Sequence, residues 1–143
     1  MKKLKIVTDA NCHRTTFYKS KSTGAAQFYD AINGELVHQE EFVLGDMTPY
    51  SAECETLVRA LDVACGLTRQ STEVCSDSET LVRQLNGDYL LKARSAKYYF
   101  DKIKQMEMRF IGGVQYFHHS RETSLAKAAH TAAAGVFAKH HVE

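Results

Sequence analysis

Along the first third of the chain, apolar and polar residues follow the two-residue period of strands; after that the spacing becomes helical. Residues 3–8 (Lys-Leu-Lys-Ile-Val-Thr) alternate and then run apolar, which predicts a strand ending at Asp9. Residues 11–23 are polar and irregular and read as a loop or a wide turn. A second strand is expected over 24–31. Asn33-Gly34 then gives a hairpin signal, because a two-residue turn needs positive φ, which these residues tolerate. A third strand follows at about 35–43, with Leu36, Phe42 and Val43 apolar. The opening is thus an antiparallel meander.

Tyr50, Cys54, Leu57, Val58, Leu61 and Cys65 recur at helical spacing, with Gly66 as the stop and Ser51 as the expected N-cap. Glu73-Val74-Cys75-Ser76 reads as a short buried strand running into Asp77. A helix over Ser78–Leu85 is broken by Asn86-Gly87. Another spans 93–108, with Tyr98, Tyr99, Ile103 and Met106 facing inward. Gly112-Gly113 precedes a strand at 114–118, and the Ala-rich stretch from Ser124 to Ala138 is helical. The order β-β-β-α-β-α-α-β-α implies an α/β fold, a mixed sheet flanked by helices.

Composition narrows the function. The 143 residues carry 18 Lys+Arg against 17 Asp+Glu, a formal charge of +1. With 44% hydrophobic and 24% charged residues this is a globular chain, expected to form one domain over 1–143. Near-neutrality argues against a bulk polycation gripping nucleic acid non-specifically, but it allows a local basic patch. The apolar runs are too short for a membrane span, and the basic start lacks an apolar stretch before Asp9, unlike a secretory signal. Cys12, Cys54, Cys65 and Cys75 form no CxxC pair, and two lie on the helical stripe. They read as reduced core thiols of a cytoplasmic protein, the alternative being a metal site or disulfide framework.

Three carboxylates stand out by position. Asp9 and Asp77 follow the first and fourth strands, and Glu53 lies in the first helix, in what the Ser51 cap makes its first turn. If those strands are neighbours, both Asp side chains emerge at the sheet edge where open α/β sheets place ligands, and the helix can deliver Glu53 there. Clustered carboxylates repel, and divalent cations resolve the repulsion: oxygen-rich sites suit Mg²⁺ or Mn²⁺, and a pair of ions can clamp a phosphodiester. The plain alternative is two turn aspartates and an ordinary helical Glu.

Local sequences add a resemblance. Ile6-Val7-Thr8-Asp9 resembles the opening strand of the ribonuclease H family, and Ser51-Ala52-Glu53-Cys54 its Ala-Glu-aromatic helix start. Cys75-Ser76-Asp77-Ser78, followed by Leu81-Val82-Arg83-Gln84-Leu85-Asn86-Gly87-Asp88-Tyr89, resembles the Ser-Asp-Ser…Leu-Val…Gln-Ile-Asn-Gly-Glu-Tyr stretch of its shorter members. His118-His119-Ser120-Arg121-Glu122 is similar to the His-Val-Pro-Arg-Glu after the last strand. The resemblance spans about 3–138 and is closest to the short form without a basic protrusion.

It implies a ribonuclease H-like fold, a five-stranded mixed sheet with three antiparallel strands followed by parallel ones. It implies an endonuclease that hydrolyses the RNA strand of RNA–DNA hybrids, leaving 5′-phosphate and 3′-hydroxyl ends. Asp9, Glu53 and Asp77 would be ligands of two Mg²⁺ or Mn²⁺ ions. Substrate contact would fall to Asn11, Arg14, Lys19, Ser51, Ser78 and Arg121, in a cytoplasmic monomer that recognises A-form-like shape rather than sequence.

Three departures bear on this. The family's Ala-Asp-x-Leu-Ala supplies a fourth acidic ligand, whereas this chain has Ala128 or Ala129 there, with His130 the nearest ligand-capable residue. An imidazole in that role suits Mn²⁺ better than Mg²⁺; otherwise His130 is a surface residue and the position is empty or filled by water. The family's Gly-rich turn after the first Asp is replaced by Ala10 to Lys21, which carries Arg14, Lys19 and Lys21 among Phe17 and Tyr18. That mixture suits phosphate contact and stacking, and fits equally a solvated loop whose aromatics cover the core edge. Thr48-Pro49-Tyr50 replaces a polar run before Ala-Glu. A non-catalytic binding module, or a nuclease of the superfamily with another substrate, are the alternatives.

Overall fold

The computed structural model of the chain describes residues 3–14, 20–88, 94–119, 127–129 and 131–132. Its elements are β1 (Leu4–Arg14), β2 (Ser20–Asp30), β3 (Leu36–Gly45), α1 (Pro49–Leu67), β4 (Thr72–Ser76), α2 (Glu79–Leu85), α3 (Arg94–Glu107) and β5 (Val114–His118). The five strands form one sheet in the order β3-β2-β1-β4-β5. The pairs β1–β2 and β2–β3 are antiparallel, while β1–β4 and β4–β5 are parallel. This is the mixed sheet expected.

The first strands run longer than the hydrophobic pattern implies. β1 continues past Asp9 to Arg14, and β2 begins at Ser20, so part of the expected loop is ladder. Register runs unbroken from Leu4↔Asp30 to Arg14↔Ser20. Backbone hydrogen bonding holds this extension, and it leaves no apolar signature because Asn11 and Cys12 are only half-buried. The hairpin also differs. It spans five residues between Asp30 and Leu36, and only Gly34 takes positive φ, at 77°. Asp30 Oδ1 accepts from the amides of Ile32 (2.8 Å) and Asn33 (3.3 Å), which builds the turn from a side chain.

α1 starts earlier than expected. Thr48, not Ser51, is the N-cap: its hydroxyl oxygen accepts from the Ser51 amide at 3.2 Å. Pro49 fits the first helical position because no amide hydrogen is needed there. Glu53 is therefore the fifth helical residue and lies beyond the first turn. The helix passes Gly66 and ends at Leu67, where the Thr68 amide bonds the Ala64 carbonyl at 2.9 Å.

The main core lies between one sheet face and helices α1–α3, around Leu4, Ile6, Phe28, Leu57, Leu61, Val74 and Ile103. The opposite face carries a small cluster of Val7, Tyr29, Cys75 and Ala129. Tyr98, expected inside, is 58% exposed, with the Lys102 ammonium 5.6 Å from its ring centre; Tyr99 is half-buried, and Ile103 and Met106 are buried. All four cysteines are free. No helix among the described residues is long and apolar enough to cross a membrane.

Candidate functional site

The parallel β1–β4 ladder ends at the pair Thr8↔Ser76. Asp9 and Asp77 are the next residues on each strand path, so both stand just past the carboxyl end of the parallel ladder, while β1 itself runs on to Arg14. Asp9 is 2% exposed and still pairs with Ala25 of β2, which fixes its backbone from the other side. Asp77 sits in a short connection set at both ends. The Ser78 amide donates to Ser76 Oγ at 3.1 Å, Ser78 Oγ caps α2 by accepting from the Leu81 amide at 3.4 Å, and the His119 amide donates to the Ser76 carbonyl at 3.0 Å.

Glu53 arrives from α1, whose placement has two local causes. The Cys12 thiol (3.2 Å) and the Ser22 hydroxyl (3.3 Å), on paired residues of β1 and β2, both donate to the Met47 carbonyl just before the helix cap. Further along, α1 lies hard against β2 at Gly24. A Cβ there would collide with Thr56 Oγ1 and come within 2.9 Å of its Cγ2, so the approach requires glycine. The Thr56 hydroxyl is held in turn by the Ala52 carbonyl at 2.7 Å.

These constraints bring one carboxylate oxygen each of Asp9, Glu53 and Asp77 within 4.8 Å of one another. Asp9 Oδ1 and Glu53 Oε2 are buried atoms that accept no hydrogen bond among the described residues, although each side chain has other interactions. A set of three close carboxylates is all-oxygen and anionic, which fits hard divalent cations such as Mg²⁺ or Mn²⁺. A groove of about 420 Å³ opens beside it, lined by Pro49, Tyr50, Glu53, Asp77, Ser78 and Thr80. A larger concavity of about 670 Å³ between α1 and α3, crossed by the Arg109–Asp62 ion pair at 3.2 Å, includes none of the three carboxylates.

The chain matches the family described as reverse transcriptase-like over residues 11–136. Among solved structures it is similar to LC11 ribonuclease H1, isolated from compost by a metagenomic approach. The two share 26% identity over 96% of this chain and 99% of that one, with a TM-score of 0.80. The chain belongs to the ribonuclease H family. The ribonuclease H1 of the halophilic archaeon Halobacterium salinarum shares its fold, with a TM-score of 0.84 at 16% identity over 96% of this chain and 98% of that one. The LC11 enzyme has also been solved in complex with an RNA/DNA hybrid; there the identity is 25% over 94% and 99% of the two chains, with a TM-score of 0.77. No curated protein sequence matches the chain.

In this ribonuclease H family member, Asp9, Glu53 and Asp77 come together as the sequence led one to expect. Ser78 lines the adjoining groove, and Ser51 sits half-buried in the first turn of α1. Asn11 is half-buried on β1. Arg14 ends β1, but its side chain lies outside the described residues, as do Phe17, Tyr18, Lys19, Arg121 and His130. Ala129 is fully buried against Val7, Tyr29 and Cys75, and Ala128 is half-buried. His118 closes β5 and is exposed. Burial lowers the pKa of His119, with nearby Asp77 acting in the opposite direction.

The sequence shows Thr48-Pro49 as a departure from the family but the pattern does not assign it the helix start, although a Thr-Pro pair just before a helical run is such a signal; Thr80 leaves no signal. Burial pushes the thiol of Cys54, next to Glu53, up to about 12, which disfavours its thiolate.

Proposed function

We propose that this chain is a metal-dependent endonuclease that hydrolyses the RNA strand of RNA–DNA hybrids. The observation that carries the reading is the convergence of Asp9, Glu53 and Asp77 within 4.8 Å where the parallel β1–β4 ladder ends. The fold shared with ribonuclease H1 enzymes, one of them solved with an RNA/DNA hybrid, supports the substrate class. In this reading the three carboxylates hold two Mg²⁺ or Mn²⁺ ions. When bound, such ions supply an activated water and stabilise the charge that builds on the phosphate. In the net reaction water adds to phosphorus and the bond to the 3′ oxygen breaks, leaving a 5′-phosphate and a 3′-hydroxyl.

The chain's own residues hold and shield this site. Asp9 is fixed by its pairing with Ala25 of β2, next to the last β1–β4 pair at Thr8, and is shielded from bulk water. Glu53 is held by the helix that Gly24 admits and the Met47 carbonyl anchors. His130 takes the fourth ligand position in this proposal, since Ala128 and Ala129 carry no donor atom. Asn11, Arg14, Lys19, Ser51, Ser78 and Arg121 are assigned to contacts with sugar and phosphate, which position a substrate without reading its sequence.

The test is cleavage of a labelled RNA–DNA hybrid in Mg²⁺ and in Mn²⁺. Cleavage that disappears in Asp9→Asn and Asp77→Asn supports the proposal. A second reading, a binding module without catalysis, is favoured by one observation: alanine stands where the family has its fourth acidic ligand. Hybrid binding without cleavage in either metal would establish that reading instead.

A further inference from the structure

The concavity of about 670 Å³ between α1 and α3 looks away from the carboxylates. Its α1 wall carries Glu55, which lies two residues from Glu53 and so about 200° round the helix from it. Each wall is a stripe of side chains seven residues long, which gives a slot of about 10 Å. At one end Arg109 of α3 pairs with Asp62 of α1 at 3.2 Å. Seven residues earlier on both helices stand Lys102 and Glu55, in the same sense of charge, yet these two form no ion pair. Lys102 turns instead to Tyr98, its ammonium 3.4 Å from the hydroxyl and 5.6 Å from the ring centre. Arg59, also on the α1 wall, has no carboxylate partner among the described residues. Its guanidinium lies 6.0 Å from the ring centre of Phe42, and Nη1 donates to the Val43 carbonyl at 3.5 Å. An ion pair thus spans one end of the slot, while the other holds two cations and a carboxylate apart. Buried Val58 and Met106 line it between the walls.

We propose that this concavity is a nucleotide site, separate from the carboxylate centre, which takes a 5′-phosphorylated nucleoside. Three requirements select that class. Arg59 and Lys102, on facing walls, offer donors and no acceptor, and so call for an anionic group on the ligand. The Glu55 carboxylate beside them only accepts, so the same ligand must carry donors, as ribose hydroxyls and base amino groups do. The apolar surface of Val58 and Met106 calls for a ring to cover it. A fatty acid lacks the donors, inorganic phosphate lacks the apolar body, and a free amino acid is small for about 670 Å³. A nucleoside monophosphate meets all three requirements. Its phosphate lies between Arg59 and Lys102, its sugar hydroxyls face Glu55 and Gln105, and its base covers the apolar lining. That chemistry has two sources, a free nucleotide and the 5′-phosphorylated end of an RNA strand. The inference holds whether or not the chain cleaves hybrids, because the carboxylate centre lies on the other side of α1.

The experiment is an amide NMR titration of the isotope-labelled full chain, in chelator, with adenosine 5′-monophosphate, adenosine, inorganic phosphate and phenylalanine in parallel. The monophosphate is expected to saturate below about 1 mM. It should shift amides around Glu55 to Val63 and Lys102 to Arg109 and leave those of Asp9 and Asp77 in place. Adenosine and inorganic phosphate should each bind at least about tenfold more weakly. Arg59→Gln and Lys102→Gln break no ion pair, should melt as the wild type does, and should each weaken binding about tenfold, the effect of one charged hydrogen bond. A short RNA with a 5′-phosphate that shifts the same amides, and no longer does so once dephosphorylated, would assign the site to strand ends. The same shifts with the free nucleotide alone would assign it to that source. Four results would overturn the proposal: no saturable shift with either source, shifts centred on Asp9 and Asp77, phosphate or phenylalanine binding as tightly as the nucleotide, or undiminished binding in both folded variants.

Discussion

The two faces of the sheet are built differently. One is covered by α1, α2 and α3 over a continuous apolar core, whereas the other carries, among the described residues, a smaller apolar cluster of Val7, Tyr29, Cys75 and Ala129. The carboxylates straddle the two sides. Asp9 alternates with Val7 and so shares the face of the smaller cluster, while Glu53 comes from a helix packed into the main core. The main core can therefore hold Glu53 as a fixed point, and Asp9, 2% exposed, completes the site from the opposite face. Ala129, at or beside the position of the family's fourth acidic ligand, packs on that face.

The sharpest test of this division separates chemistry from packing. Asp9→Asn or Asp77→Asn should lower cleavage of a hybrid more than about 100-fold, because even partners of metal ligands cost 10–100-fold. Each removes a charge from a crowded anionic cluster, so the melting temperature measured without metal should hold or rise. A parallel loss of stability and activity would mean that these residues only support the fold.

Packing changes should rank by face. Leu61→Ala, a fully buried position in the main core, is expected to cost about 2–5 kcal/mol in chemical denaturation. Cys75→Ala on the opposite face should cost about 1 kcal/mol. Equal costs would erase the contrast between the faces.

Gly24→Ala probes the link between packing and site. The added methyl meets Thr56, and overpacking of this kind costs about 1–3 kcal/mol. Because α1 must shift to relieve it, activity should fall as well, and Thr56→Ala should restore part of both in a double-mutant cycle. Strict additivity would show that the contact does not position Glu53. The smallest effect expected is from Thr48→Ala, about 1 kcal/mol of stability from the lost cap, read as a shift of the denaturation midpoint.

What was legible in the sequence follows the same division. Where one side chain period dominates, as from Leu57 to Leu61 on α1 or over Val74-Cys75-Ser76, the hydrophobic pattern locates the element. The carboxylates were legible because the apolar runs of β1 and β4 each break at an acidic residue, Asp9 and Asp77, and the family motifs keep their order. The extension of β1 to Arg14 was not, since ladder hydrogen bonds carry it and half-buried Asn11 and Cys12 show no period. Nor was the five-residue hairpin, which an aspartate side chain two residues upstream organises. The hydrogen bond from the Tyr50 hydroxyl to Gln84 of α2 joins residues 34 positions apart, and no local pattern encodes it. Exposed Tyr98 was misread because an aromatic at helical spacing fits a core face and a solvent face equally well.

The central claim is that Asp9, Glu53 and Asp77 form a divalent cation site. Crystals grown in Mn²⁺ and measured at a wavelength where manganese scatters anomalously test it most directly. The account predicts anomalous peaks within coordination distance of all three carboxylates. Full exposure to Mn²⁺ with ordered carboxylates and no peak among them would contradict it.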